Sequence, residues 1–149
     1  MDANKEPGIL FNNVMLQKCN FELRAVKDGS LKKNMKIDFK INNRFSENKE
    51  KLFTDLGISI GKEDAEMPFL LEVVMTGIFS VDEKNINLNL ETFSKNNAPA
   101  IIFPYLREFV TNITSRANFK PPIILPPMNI VKMMTERKFD ETKKEHVEN

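Results

Sequence analysis

Two side chains in this 149-residue chain could form a nucleophile and its base, but their positions do not favour that chemistry. Cys19 is the single cysteine, and His146, the single histidine, lies in a charged C-terminal run. A thiol nucleophile needs a base within hydrogen-bond reach, and a structural metal site needs several such ligands. The acidic residues also lack a recognisable catalytic spacing. The sequence therefore predicts a protein that is not an enzyme and that uses no cofactor or metal.

The most informative segment for function is an apolar, proline-rich stretch over residues 119–130, in which only Lys120 and Asn129 are polar. Its prolines exclude helix and most sheet pairing. They are Pro121, Pro122, Pro126 and Pro127. Such an extended apolar segment is suited to lining a surface groove for extended peptides, or to packing on a partner subunit. A rigid cover over the protein's own sheet is the alternative interpretation.

Composition narrows the class of protein further. The net charge is +1, so there is no bulk attraction to nucleic acid or to an anionic membrane. A single cysteine is typical of a reducing compartment. Residues 1–8 do not have the basic and apolar regions of a signal peptide, and no apolar run reaches the length that spans a bilayer. We expect one cytoplasmic domain over residues 1–149, with residues 1–8 and 140–149 disordered and no membrane insertion. The 12 Phe and 8 Met are side chains that adapt to varied apolar partners.

Four segments have the patterns of β-strands. In residues 35–41 apolar side chains occupy every second position, which places them on one strand face and the charges on the other. Residues 52–60 repeat the pattern, and residues 69–81 are apolar on both faces. Residues 9–26 are less regular and predict a strand with a bulge near Gln17. Short polar turns separate the segments, so an antiparallel sheet is favoured.

After the last predicted strand, the apolar residues are spaced as in helices. Residues 82–95 predict only a short helix or turn. The main helix is predicted over residues 97–117, with Pro99 in its first turn and Pro104 deeper inside. A second helix is predicted over residues 129–141. The expected fold class is therefore α+β, a four-stranded antiparallel sheet followed by two helices packed on one face.

These elements carry motifs that are similar to those of the SecB family, the bacterial protein-export chaperones. The segment NNAPAIIFPYLREFVTNITSRANF resembles the family's helix signature. Its matching positions are Pro99, Phe103, Pro104, Tyr105, Arg107, Glu108, Ser115, Arg116 and Phe119. Upstream, FLLEVVMTGIFSV resembles the third long strand of the family, and downstream LPPMN resembles the end of its crossover loop. With a weaker match at residues 20–22, the resemblance spans roughly residues 9–138.

The resemblance implies an ATP-independent holdase, a dimer of dimers that binds unfolded polypeptides or preproteins in long grooves and passes them to the SecA motor. The positions that it implies for client binding are Met35, Ile37, Phe39, Phe119, Ile123, Ile124, Leu125 and Met128. Those that it implies for docking the motor are Glu22, Leu70 and Glu72. The oligomer interface is expected at Leu71, Val73, Met75, Phe103 and Tyr105.

Two alternatives remain open beside export. Some relatives serve the antitoxin of a toxin–antitoxin pair, and Lys18 stands where an acidic residue often precedes the docking glutamate, so the partner could be an antitoxin instead of SecA. Nucleic-acid binding is suggested by a lysine-rich stretch, Lys32, Lys33, Lys36 and Lys40. The nearby Phe39 points away from Lys36 and Lys40, so they form no common stacking platform and no nucleic-acid partner is expected.

Overall fold

The computed structural model describes residues 8–25, 35–81, 90–127, 129–130 and 132–133. The elements are β1 (Ile9–Leu23), β2 (Ile37–Phe45), β3 (Lys51–Ile60), β4 (Phe69–Val81), α1 (Leu90–Asn96) and α2 (Ala98–Arg116). The strands form one antiparallel sheet in the order β1-β4-β3-β2, which confirms the predicted α+β fold. Part of the predicted second helix is described, because Ile130, Lys132 and Met133 are helical. Apart from Gly8, the ends predicted to be disordered lie outside the described residues.

β4 is a central strand whose side chains alternate between two faces of the sheet. Its odd-numbered residues point towards α2, and among them Leu71 and Val73 are fully buried. Its even-numbered residues point to the opposite face, on which no described helix lies. We call this second face the open face. On β4 it consists of Leu70, Glu72, Val74, Thr76, Ile78 and Ser80.

β1 forms one edge of the sheet and pairs only with β4 among the described strands. Its pairing shifts register twice, between Phe11 and Asn13 and between Leu16 and Lys18. The second shift confirms the bulge predicted near Gln17. Asn12 lies at the first shift, and its side-chain nitrogen Nδ2 donates a hydrogen bond to the Ser80 hydroxyl at 2.9 Å. The strand is thus attached to β4 by side chains where backbone pairing is interrupted.

Helix α2 covers the inner face of the sheet. Its predicted start and end are confirmed, with Asn97 and Ala117 as the capping positions and Pro99 in the first turn. Pro is favoured there because its missing N–H would have no partner within the helix. Ile102, Leu106 and Val110 form a buried stripe along α2. The predicted short helix before α2 is present as α1.

Gly77 allows α2 to approach the sheet closely. A Cβ atom at Gly77 would lie 2.8 Å from both Cγ1 and Cδ1 of Ile102 and 3.0 Å from the Phe79 ring. We expect Gly77→Ala to lower the free energy of unfolding by about 1–3 kcal/mol, because the buried Ile102 has little room to move. Urea denaturation measures this loss. Ile102→Val in the same chain should recover part of it, and a double-mutant cycle without coupling would contradict the contact.

The connection between β3 and β4 is closed by Arg24. One guanidinium nitrogen, Nη1, donates to the carbonyl oxygens of Gly61 at 2.7 Å and of Asp64 at 3.0 Å. The backbone N–H of Arg24 donates to the carbonyl of Pro68 at 2.8 Å. Gly61 has a φ of 85°, a left-handed conformation that glycine adopts without a steric penalty. Three hydrogen bonds from Arg24, just after β1, therefore give this connection a defined shape.

Candidate binding site

The proline-rich segment predicted to line a groove lies directly after α2. We call its described part, residues 119–127, the strap. Ile123 and Leu125 are buried, whereas the side chain of Ile124 between them is 68% exposed. An extended chain turns successive side chains to opposite sides, so alternate residues of the strap enter the core. Two of the residues predicted to bind clients, Ile123 and Leu125, therefore pack in the core, as in the alternative interpretation of a rigid cover.

Two threonines of α2 hold the strap through its backbone. The Thr111 hydroxyl donates to the carbonyl oxygen of Ile123 at 2.8 Å, and the N–H of Ile123 donates to the Thr114 hydroxyl at 3.0 Å. The Thr114 hydroxyl in turn donates to the carbonyl of Val110 at 2.8 Å. Both polar backbone groups of a buried residue are thereby satisfied without a neighbouring strand. The sequence interpretation missed these threonines, although their spacing of one helical turn beside a proline-rich segment is a usable signal.

A surface groove runs between the strap and the outer side of α2. It is lined by Pro104, Arg107, Glu108, Thr111, Asn112, Ser115, Arg116 and Ile124. Ile124 and Pro104 provide apolar surface, and the two arginines outnumber the single carboxylate. Nε of Arg116 donates to the Asn112 side chain at 2.8 Å, which fixes the position of that guanidinium. The groove therefore combines an exposed aliphatic side chain with polar groups that can bind a peptide backbone.

The other residues predicted to bind clients have different exposures. Phe119 is half-buried, with its ring centroid 5.2 Å from that of Phe69. Phe39 is buried against Phe103, with 6.4 Å between ring centroids. Met35 and Ile37 are half-buried beside the core. Met128 lies outside the described residues. Ile124 is thus the predicted position that offers most apolar surface, while Phe39 contributes to the core of the protomer.

The residues predicted at the oligomer interface lie mostly inside the protomer. Leu71 and Val73 are fully buried, and Met75 and Phe103 nearly so, because α2 covers this face of the sheet. Tyr105 is exposed, with its ring centroid 6.0 Å from that of Phe11 on β1. The interface assignment is therefore corrected to a core role for the four buried residues. The exposed large apolar residues of β1 lie along this edge instead: Leu10, Phe11, Met15, Leu16 and Leu23.

The residues predicted to dock a motor protein lie together on the open face. Glu22 is the register partner of Leu70, and Glu72 follows Leu70 on the same side of β4. The Glu72 carboxylate lies between two lysines, 3.5 Å from Nζ of Lys18 and 3.7 Å from Nζ of Lys62. These cations partly compensate its negative charge. The three residues predicted to dock a motor are therefore adjacent, and their surroundings are less acidic than the two glutamates alone would make them.

Few groups in this part of the chain are suited to covalent or metal chemistry. Partial burial raises the pKa of the Cys19 thiol, which lowers the fraction of reactive thiolate at neutral pH. Within the described residues, no three acidic, cysteine or histidine side chains are grouped closely enough to hold a metal ion. No described helix combines the length and apolarity needed to cross a bilayer. The arrangement favours binding through apolar surface and hydrogen bonds.

Comparison with known proteins shows which family this chain is similar to. The family model described as "Preprotein translocase subunit SecB" matches residues 2–141. An uncharacterized protein of Methanocaldococcus jannaschii is 35% identical over 99% of this chain and 95% of its own length. The protein-export protein SecB of Methylobacillus flagellatus is 37% identical, but over 50% of this chain and 46% of that protein. That of Nitrosomonas europaea is 37% identical over 54% and 49%.

A solved structure shares the fold. It is the Mycobacterium tuberculosis SecB-like chaperone Rv1957 in complex with a ChAD peptide from the HigA1 antitoxin. The TM-score is 0.65, with 11% sequence identity over 80% of this chain and 90% of the mycobacterial chain. At this identity the likeness establishes the fold alone.

Proposed function

This chain belongs to the SecB family of chaperones, and from this membership we propose that it holds unfolded polypeptides in the groove beside the strap. The observation that carries the proposal is the 68% exposure of Ile124, an aliphatic residue presented to solvent beside Ile123, whose backbone α2 holds through two hydrogen bonds. Unfolded chains share exposed apolar side chains and unpaired backbone groups. A groove with an aliphatic anchor and hydrogen-bonding side chains can bind both features without reading a particular sequence. No catalytic step or nucleotide is needed.

Holding should depend on several grooves acting together. Each large apolar side chain that a client buries contributes about 1.5–3 kcal/mol before ordering costs, so one groove binds weakly. We propose a homotetramer, a dimer of dimers, in which one client wraps around several protomers. Linking of sites in this way raises avidity by about 10² to 10⁴. Binding would then be tight and yet reversible at each groove.

The exposed edge of β1 supports the proposal of an oligomer. A long edge strand with unpaired backbone groups and exposed apolar side chains is suited to pairing with another chain. Phe11 of β1 and Tyr105 of α2 extend this apolar edge onto the helical side. A second protomer that paired along β1 would cover both.

We propose protein export through SecA, in the cytoplasm, as the first candidate pathway, because the named relatives are export proteins. The open face with Glu22, Leu70 and Glu72 would dock the motor. A second candidate is a chaperone dedicated to an antitoxin. It is favoured by the two lysines that compensate Glu72, and by the antitoxin peptide bound to the mycobacterial structural relative. Copurification from native cells would distinguish the pathways by the partner recovered: exported precursors with SecA, or an antitoxin.

Suppression of aggregation tests the proposed function directly. We expect one tetramer equivalent of the purified protein to delay aggregation of reduced, unfolded α-lactalbumin, without ATP. Association at about 10⁵–10⁷ M⁻¹s⁻¹ and micromolar concentration gives capture within roughly 0.1–10 seconds, fast enough to compete with slow folding or aggregation. Light scattering measures the delay. If neither this probe nor other reduced, unfolded proteins are protected at that ratio, the holdase proposal is wrong.

A further inference from the structure

The way in which α2 holds Ile123 resembles the binding of an extended peptide residue. Its carbonyl and its N–H each form a hydrogen bond, with the hydroxyls of Thr111 and Thr114. Its side chain is 5% exposed and that of Leu125 is 1% exposed, both within the core cluster. Recognition of an added strand uses the same two elements: backbone hydrogen bonds for affinity, and pockets for alternate side chains. The strap therefore fills a place that has the properties of a peptide-binding site.

We propose that Thr111, Thr114 and the apolar space filled by Ile123 and Leu125 form a second client-binding site, which the strap occupies in cis until a client displaces it. The ligand class is an extended segment of unfolded polypeptide with aliphatic side chains at alternate positions. This inference rests on the proposed holdase function and adds a way in which client binding is regulated. The strap limits access to the apolar interior of the site until a client segment competes for it.

Few backbone hydrogen bonds hold the strap on α2, so little prevents a client segment from replacing it. Among its described residues, only Phe119 and Ile123 hydrogen-bond to α2 through the backbone. Pro121, Pro122, Pro126 and Pro127 flank Ile123 and cannot donate further hydrogen bonds. A client segment could form the same two bonds with the threonines and bury side chains of the same type. Release of the strap and binding of a client therefore exchange equivalent contacts, which makes the displacement reversible.

The strap could be displaced by clients, as we propose, or could form a permanent wall of the groove. Whether Ile123→Ala raises or lowers client affinity distinguishes these two hypotheses. When only a fraction of molecules is open, the apparent dissociation constant equals the intrinsic constant divided by that fraction. Ile123→Ala weakens the hold of the strap and raises the open fraction without changing either threonine. We expect its affinity for reduced, carboxamidomethylated α-lactalbumin to rise about tenfold. If Ile123 instead supports a fixed groove wall, the affinity of the variant should fall.

The experiment uses calorimetric titration of wild type, Ile123→Ala and Ile123→Val with the same unfolded α-lactalbumin. Ile123→Val removes less apolar contact than Ile123→Ala does, so its gain in affinity should be smaller and in the same direction. In case Ile123→Ala does not fold, hydrogen exchange is measured on the wild-type protein, where the Ile123 amide should exchange faster after client is added. Unchanged or slower exchange, or weaker binding by a folded Ile123→Ala variant, overturns the inference alone. Absence of client binding by the wild type would overturn the proposed function as well.

Discussion

Replacement of Gly61 by alanine is expected to lower the free energy of unfolding by about 2–6 kcal/mol. A left-handed φ costs a residue with a side chain about 1–3 kcal/mol, and forced overpacking adds about 1–3 kcal/mol. Both terms apply here, because φ is 85° and an added Cβ would lie 2.3 Å from the carbonyl oxygen of Phe69. That atom belongs to the backbone of β4 and cannot turn away as a side chain would. Urea denaturation of the purified variant measures the loss.

Gly57, inside β3, offers a matched control close to Gly61 in sequence. A Cβ atom there would meet Val74 Cγ2 at 3.5 Å and the Val73 carbonyl oxygen at 3.7 Å, which are ordinary contacts. Gly57→Ala should therefore be neutral or slightly stabilising, because alanine reduces the freedom of the unfolded chain. Equal losses for the two variants would mean that the shape of the connection at Gly61 does not matter for stability.

Replacement of Ile124 by serine is expected to weaken client binding at each groove about 5- to 30-fold. The exposed part of this side chain can contribute about 1–2 kcal/mol when a client covers it. Where a client engages two grooves at once, the factors multiply, so the loss for a long unfolded chain should exceed that for a short peptide. Titration with both kinds of ligand measures the two effects.

Controls for Ile124→Ser follow from its exposure. The free energy of unfolding should change by no more than about 0.5 kcal/mol, because the side chain is 68% exposed. The conservative variant Ile124→Leu should retain client affinity. Full client affinity in a folded Ile124→Ser variant would place the client elsewhere, and a large loss of stability would show that Ile124 supports the core.

The strands and helices of this fold could be predicted from the sequence because each has a local signal. Alternation of apolar residues is a property of each strand by itself, and so is an irregularity in that alternation at Gln17. The position of Pro99 likewise marks the start of α2, since proline is tolerated in a first helical turn. Short polar connections then favour antiparallel neighbours. These signals do not depend on which element packs on which.

The parts that could not be predicted depend on tertiary placement. Alternation shows that β4 has two faces, but not that α2 covers the face that carries Leu71 and Val73. The same limit applies to the strap, where burial of Ile123 requires the two threonines of α2 beside it. Lys62 lies beside Glu72 because β3, which precedes the connection, pairs with β4. Of these contacts only that of the strap has a sequence signal, the spacing of Thr111 and Thr114 by one helical turn beside the prolines.

The two register shifts in β1 have a consequence for protein homeostasis. Amyloid-like fibrils need six- or seven-residue segments that stack regularly, with little charge. The shifts divide β1 into shorter stretches of regular pairing, and the longest of them, residues 18–23, contains Lys18 and Glu22. The exposed edge of β1 can thus pair with one partner strand but is poorly suited to templating cross-β growth. A chaperone exposed to unfolded chains would thereby reduce the hazard of coaggregating with its own clients.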